Sequence, residues 1–246
     1  MSKKVALVTG GTGGIGTAIC QRLSQDYQVV ACYFKHGKHE EAKKWQVEQK
    51  ELGYDLDIIY GDVAQFTDCE RIAEEIIKRY GQIDVLINNA GVTQDCSLRK
   101  MTPEQWQQVL DANLTSVFNM TRNVIPHMLD CKYGRIVSIS SINGRKGQFG
   151  QCNYASTKSA LFGFTKSLAL EVAMKGVTVN TISPGYIETS MLSGLRPEVL
   201  DSIIANIPVG RLGTPEEIAD AVAFLIDEKS GFITGANLDI NGGQYM

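Results

Sequence analysis

Short runs rich in Val, Ile and Leu alternate along the chain with longer stretches in which apolar residues return every three or four positions. The short runs fall at residues 4–9, 28–33, 56–60, 85–88, 135–140, 178–183 and 237–240. Several are apolar at nearly every position and lack the in–out alternation of a half-exposed strand. Such runs suit parallel strands covered on both faces. The helical stretches between them supply the crossovers that parallel strands require. The pattern predicts an α/β chain with a parallel sheet between two helix layers. Two helix starts are marked, at Thr102-Pro103-Glu104-Gln105 and Thr214-Pro215-Glu216-Glu217. Each offers a threonine N-cap, a proline at the first helical position and Gln or Glu at the third. No repeat, low-complexity tract or linker divides the chain, so one domain is expected over residues 1–246.

Composition narrows the picture. A chain of 246 residues, with 43% apolar and 21% charged residues, has the size and balance of one soluble globular domain. The net charge of −3 offers no basic excess, and no nucleic-acid partner is expected. None of the six cysteines forms a CxxC pair and the three histidines do not cluster with them, so no metal site is expected. The cysteines are read as reduced thiols of a cytoplasmic protein. Val5-Ala6-Leu7-Val8 is too short for a signal-peptide core, and no apolar run of about 18 residues suggests a membrane span.

The first strand ends in Gly10-Gly11-Thr12-Gly13-Gly14-Ile15-Gly16, and an amphipathic helix follows with Ile15, Ile19 and Leu23 on one face. Glycines let the backbone turn sharply and approach a pyrophosphate, which a helix N-terminus attracts. The segment fits both GxGxxG and TGxxxGxG, with the strand before and the helix after that a dinucleotide cradle needs. Its alternative is a plain tight turn. An NAD site places a carboxylate near the end of the second strand, where it accepts from the ribose 2′-hydroxyl. Here the stretch Cys32-Tyr33-Phe34-Lys35-His36-Gly37-Lys38 contains none. Lys35 or Lys38 would attract a 2′-phosphate, which favours NADPH; the alternative is a solvated basic loop. Asp62 and Val63, after the third strand, are expected at the adenine edge.

Tyr154 and Lys158 stand four apart in a predicted helix over 153–175, which puts them on one face. A free tyrosine has a pKa of about 10, and a nearby ammonium stabilises the phenolate. Lys158 is therefore expected to acidify Tyr154, and it can also hold the nicotinamide ribose. Ser141 lies at the carboxyl end of the 135–140 strand, where open α/β sheets bind ligands and where a hydroxyl can donate to a substrate carbonyl. Ser138 and Ser140 compete for that role. Asn88-Asn89-Ala90-Gly91 closes the fourth strand at the same edge, a glycine turn with two amides that suits backbone–cofactor contact and whose alternative is an ordinary turn. Asn113 sits in a helical stretch running from Pro103 toward Met128, where Asn is a mediocre helix former. A functional role competes there with a buried hydrogen-bonding one.

Together these residues resemble the classical short-chain dehydrogenase/reductase family. The likeness runs from Thr9 to Gly243 through Thr9-Gly10-x-x-x-Gly14-x-Gly16, Asn88-Asn89-Ala90-Gly91, Asn113, Ser141, Tyr154-x-x-x-Lys158, and Pro184-Gly185 followed by Thr189. The resemblance implies a Rossmann-type, doubly wound, seven-stranded parallel sheet, usually in a homotetramer, and hydride transfer between a nicotinamide and a carbonyl carbon. It implies that Ser141 orients the carbonyl, Tyr154 gives the proton, Lys158 tunes the tyrosine and Asn113 positions a relay water. Gly10, Thr12, Gly14, Ile15, Gly16, Asn89, Ala90, Gly91, Pro184, Gly185, Ile187 and Thr189 join Lys35, Asp62 and Val63 as implied cofactor contacts. Within the family the chain is most similar to the NADPH-dependent branch that reduces acetoacetyl-CoA to (R)-3-hydroxybutanoyl-CoA for polyhydroxybutyrate synthesis. The segment from Ser140 to Gln151, the run Pro184-Gly185-Tyr186-Ile187 and Asn241-Gly242-Gly243 carry that likeness. It suggests Gln148, Phe149, Gln151 and Tyr186 for the acyl pocket, bordered by Asp95. A core position is the alternative for Phe149.

Residues 189–211 hold Leu192, Leu195, Val199, Leu200, Ile203 and Ile204, with Pro197 able to open a helix. Such a segment reads as a lid over an acyl thioester, or as simple packing against the body. Arg99, Lys100, Arg145 and Lys146 are candidate cations for a CoA phosphate. A 3-oxoacyl-[acyl-carrier-protein] reductase would use the same chemistry with a basic docking patch, including Lys132 and Lys175. A silent cofactor-sensing scaffold is the reading from another class, and the joint presence of Ser141, Tyr154, Lys158 and Asn113 argues against it.

Overall fold

The computed structural model describes residues 3–34, 39–189, 194 and 196–246. Seven parallel strands form one sheet: β1 Lys4–Thr9, β2 Tyr27–Tyr33, β3 Leu56–Tyr60, β4 Val85–Asn88, β5 Gly134–Ile139, β6 Val177–Pro184 and β7 Asn237–Ile240. Their spatial order is β3-β2-β1-β4-β5-β6-β7. The chain runs outward from β1 through β2 and β3, then returns across β1 to add β4 onward. The crevice beyond the carboxyl ends of β1 and β4 is the switch point of such a sheet, where ligands bind.

The apolar runs are continuous because both faces are covered. Ala6 and Val8 of β1 face one core, shared with α1 (Gly14–Leu23) and α9 (Pro215–Ile226). Trp45 of α2 (His39–Glu51) packs on that side too. Val5 and Leu7 face the other core, built with α3 (Phe66–Tyr80), α5 (Ser116–Cys131) and α7 (Cys152–Val172). The short helices α4 (Pro103–Leu110), α6 (Asn143–Lys146) and α8 (Pro197–Ala205) complete the described α-helices. Both marked helix starts are reciprocal capping boxes. Thr102 Oγ1 accepts from Gln105 N at 3.2 Å while Gln105 Oε1 accepts from Thr102 N at 3.0 Å. Thr214 and Glu217 repeat the arrangement at 3.3 and 2.9 Å.

Two helical predictions need revision. The stretch expected to run unbroken from Pro103 toward Met128 is interrupted at Asp111–Thr115 by a π-helical turn. The wider turn moves Asn113 off the regular ladder, a distortion frequent at functional sites. The 153–175 helix ends as α7 at Val172 and tightens into a 3₁₀ turn at Ala173–Lys175, closed by Gly176 at φ 73°. Pro197 does open α8, although no residue of that helix is fully buried. Among the described residues, no helix is long and apolar enough to cross a membrane.

The Thr214 box opens α9 directly after Gly213, which exchanges backbone hydrogen bonds with Tyr186 and Glu188. Thr214→Ala is expected to cost about 1 kcal/mol and to lower the melting temperature by roughly 2–4 °C. Calorimetry checks the shift.

Candidate active site

The crevice begins where β1 ends. Thr9 Oγ1 accepts from the backbone N–H groups of Asn89 and Ala90 at 3.0 and 3.1 Å, tying the tips of β1 and β4 together. Asn89 Nδ2 completes the tie by donating to Thr9 O and Gly10 O at 3.0 and 3.1 Å. Asn88 is buried and donates to Thr121 and Ser138. Both amides therefore hold the scaffold. Thr9, quoted only as part of a motif, is the residue that organises this corner.

The glycines divide into two groups. Gly10 adopts φ +62°, and a Cβ on Gly16 would lie 2.2 Å from Gly10 O, so these two are required by the turn itself. Gly13 and Gly14 are exposed at the start of α1. A Cβ on Gly14 would meet only the side chain of Thr189, at 2.9 and 3.1 Å, and its Cα at 3.9 Å. That proximity brings Thr189 to the mouth of the cradle. Gly13, the N-cap of α1, supplies no side-chain cap, and the first turn carries no acid. The leading peptide N–H groups are thus left to an anion, which fits the pyrophosphate of a dinucleotide. Thr12 and Ile15 are half-buried beside the same turn.

Asp62 and Val63 follow β3. Asp62 Oδ1 accepts from Ala64 N at 3.0 Å, and Val63 O accepts from Asn119 Nδ2 at 3.1 Å. Across the sheet, Pro184 O accepts from Ile142 N at 2.8 Å and Gly185 N donates to Ile240 O at 2.8 Å. Ile187 is buried and bridges to Gly213. Lys35 lies outside the described residues.

Ser141, Tyr154, Lys158 and Asn113 converge at the tip of β5. Of the three serines, Ser138 lies inside the sheet and Ser140 Oγ donates to Lys158 O at 2.8 Å. Of the three, Ser141 is the one whose hydroxyl acts on the Tyr154 phenol. Lys158 is buried, donates from Nζ to Ile139 O at 2.7 Å and holds its ammonium 5.6 Å from the centre of the Tyr154 ring. Asn113 Oδ1 accepts from Val92 N at 2.8 Å, and its Nδ2 donates to Val92 O at 2.9 Å. The same Nδ2 reaches Thr157 Oγ1 at 3.4 Å, and Thr157 Oγ1 donates to Tyr154 O at 2.7 Å. Gly91 lies against Asn113 and Lys158: a Cβ there would be 3.1 Å from Asn113 Oδ1 and 3.5 Å from Lys158 Nζ.

Burial pushes the Tyr154 phenol above its ordinary value; the Ser141 hydroxyl pulls it back and the Asp95 carboxylate adds to the rise. Burial lowers Lys158 to about 8. Desolvation is the largest influence on the phenol, and donation from Ser141 is what opposes it.

On the substrate side, Asp95, Gln151 and Asn143 form a hydrogen-bonded chain with Gln151 in the middle. Tyr186 is half-buried near Asp95, which with burial raises its phenol. Gln148 is exposed, and Phe149 is 90% exposed, so the core alternative for Phe149 does not hold. Arg145 is engaged by Asp239 at 3.6 Å and stacks on Phe162 and Tyr245, which leaves it poorly placed as a free phosphate ligand. Arg99, Lys100 and Lys146 are exposed. Among the described residues no group of three or more His, Cys, Asp or Glu gathers as a metal site.

A phosphate cradle at the switch point, beside a Ser–Tyr–Lys set on the neighbouring strand and helix, defines an oxidoreductase that interconverts a carbonyl and its alcohol with a nicotinamide cofactor. The chain belongs to the short chain dehydrogenase family, which it matches over residues 4–200. It is 53% identical over 247 residues to an acetoacetyl-CoA reductase of Cupriavidus necator, covering 100% of both chains. An acetoacetyl-CoA reductase of Allochromatium vinosum is 48% identical over 99% of each chain. A 3-oxoacyl-[acyl-carrier-protein] reductase of Vibrio cholerae is 41% identical over 99% of this chain and 98% of its own.

The two classes of glycine separate experimentally. Gly16→Ala drives a methyl into backbone and is expected to lower thermal stability. At Gly14 the nearest atoms to an added methyl are those of Thr189. Gly14→Ala is expected to keep the melting temperature within a few degrees while weakening dinucleotide binding about tenfold or more, or about 1.4 kcal/mol. Fluorescence titration with reduced cofactor and a thermal melt read the two effects.

Proposed function

We propose that the protein reduces acetoacetyl-CoA to (R)-3-hydroxybutanoyl-CoA with NADPH, as in polyhydroxybutyrate synthesis. The observation that carries the chemistry is the Ser141–Tyr154 hydroxyl pair, seated over the buried Lys158 at the carboxyl edge of the sheet. The thioester is supported by full-length identity of 48–53% to proteins named acetoacetyl-CoA reductase. NADPH is supported by the absence of a carboxylate from Phe34 to Lys38 and by Lys35 and Lys38 themselves.

A bound reduced nicotinamide supplies the hydride. Gly10, Thr12, Gly14, Ile15, Gly16, Asp62, Val63, Asn89, Ala90, Gly91, Pro184, Gly185, Ile187 and Thr189 would hold the cofactor, and the charge of Lys35, which lies outside the described residues, would suit a 2′-phosphate. Ser141 donates to the ketone oxygen and fixes its direction. Tyr154, held protonated by burial, passes its proton to that oxygen as negative charge develops there. Lys158 stabilises the phenolate left behind. Asn113, clamped to both backbone groups of Val92, sets the floor on which a relay water is held. Phe149, Gln148 and Tyr186 border the acyl group, and α8 is the candidate lid over it; of the segment 189–211, residues 190–193 and 195 lie outside the described residues.

The same chemistry on a carrier-protein thioester is a second reading, favoured by the 41% identity to relatives named 3-oxoacyl-[acyl-carrier-protein] reductase. We further propose a cytoplasmic homotetramer. The free thiols support the compartment. Exposed Leu170, Met174, Phe224 and Phe232 support buried contacts between subunits.

Tyr154→Phe is expected to lower kcat by about 10²–10⁴-fold with cofactor binding retained, and survival of activity in that variant defeats the proton-donor assignment. NADPH consumption on acetoacetyl-CoA should exceed both NADH consumption and the rate on acetoacetyl-carrier protein. Greater efficiency with NADH overturns the cofactor reading, and preference for the carrier substrate installs the second one. In the free chain Lys158 keeps its charge below about pH 8 and loses it above. The kcat/KM profile, which reports the free enzyme, should therefore fall on the alkaline side near that pH, and the limb should vanish in Lys158→Met.

A further inference from the structure

We propose that Asp95 and Gln151 are positioning residues. With Asn143 they form a chain that fixes which way the Ser141 hydroxyl points, and Gln151 acts on the reaction through that chain. The inference rests on the reading of Ser141 as the carbonyl-orienting donor.

Three hydrogen bonds make the chain. Asp95 Oδ2 accepts from Gln151 Nε2 at 2.8 Å. Gln151 Oε1 accepts from Asn143 Nδ2 at 2.9 Å. The Asn143 backbone N–H donates to Ser141 Oγ at 3.1 Å. The links come from the loop after β4, the residue before α7 and the first residue of α6, so three separate parts of the sequence meet behind one hydroxyl.

The order of donors follows from chemistry. An ionised carboxylate can only accept, so Gln151 must turn its NH₂ group toward Asp95. Its carbonyl is what remains for Asn143, which must then present its own NH₂. Asn143 Oδ1 is consequently turned away, buried and without a partner. A buried unpaired acceptor is unfavourable in isolation. Here the orientation is imposed from the far, exposed end of the chain by the charge on Asp95.

Pinned in this way, Asn143 seats its peptide N–H on one acceptor position of Ser141 Oγ. A serine hydroxyl has one proton and two acceptor positions. With the amide in place, the proton is directed away from α6 and toward the Tyr154 side. Neighbouring Gly144 keeps the geometry stiff: a Cβ there would lie 2.8 Å from the Lys158 carbonyl carbon, so α6 cannot slide without disturbing α7. Each end of the Gln151 amide carries one link of the chain, its NH₂ to Asp95 and its carbonyl to Asn143.

A steady-state double-mutant cycle tests the chain, using Asp95→Asn, Gln151→Leu and the double variant. It is run on whichever carbonyl substrate the wild-type chain reduces. Loss of the acetoacetyl-CoA reading would thus change the substrate and leave the cycle intact. Melting temperatures confirm that each variant is folded. Each single change is expected to lower kcat about 5–20-fold with KM within about twofold, and the double to be no worse than the weaker single variant, as for members of one network. Asp95→Glu, which keeps an accepting carboxylate, should recover much of kcat. A rise in KM at unchanged kcat in Gln151→Leu, or losses that multiply in the double variant, overturns the proposal.

Discussion

A buried ammonium at the end of the sheet organises this molecule's working edge. Lys158 Nζ donates to the last carbonyl of β5 while the backbone carbonyl of the same residue accepts from Ser140, so strand and helix are fastened at two levels. Burying that charge is unfavourable, and the lowering of Lys158 to about 8 expresses the cost. What the arrangement gains is position. α7 cannot rotate without withdrawing the ammonium from Ile139 O. Tyr154, one turn earlier on the same helix, is therefore held over the tip of β5, where Ser141 waits. Gly91 and Asn113 close the space from the β4 side at contact distances that a methyl group would spoil.

The nucleotide end of the crevice is built by a different device. There the tips of β1 and β4 are joined through Thr9 and Asn89, and the glycine turn folds back on itself so closely that a side chain at Gly16 would strike Gly10 O. Most of the glycine requirement is thus internal to the turn. The outward glycines keep the start of α1 open and leave its N–H groups without side-chain caps. Anion affinity then follows from what the chain leaves out of its own hydrogen bonding.

How much of this was legible in the sequence depends on the range of the interaction. The strands were readable because burial on both faces leaves a local signature, an apolar residue at nearly every position, and their ends fall within a residue or two of expectation. The helix caps were readable because a capping box spans only four residues. Tyr154, Lys158 and Ser141 were placed correctly at one edge because strand ends and helical spacing fix them. The π turn around Asn113 was hidden, since it arises from tertiary bonds to Val92 and Thr157 that no helical periodicity encodes. Asn143 went unnoticed for the same reason: its partners are eight residues away in one direction and two in the other, across a turn. Choosing Ser141 over Ser138 and Ser140 required knowing which hydroxyls the interior had already claimed.

The proton inventory of the site has a direction. In the chain without ligands the phenol is pushed up and the ammonium down, so both shifts favour the uncharged pair. A tyrosine that keeps its proton through the neutral range is set to donate it, which is what reduction of a ketone asks of it. The reverse reaction asks for the opposite: a phenolate able to accept a proton from an alcohol. That state becomes accessible only when positive charge or hydrogen-bond donation is added next to the ring. Ser141 already contributes donation, and Asp95 opposes it from the solvent side. The balance between those two groups, one fixed behind β5 and the other on the loop after β4, sets how far the resting site leans toward giving a proton over taking one.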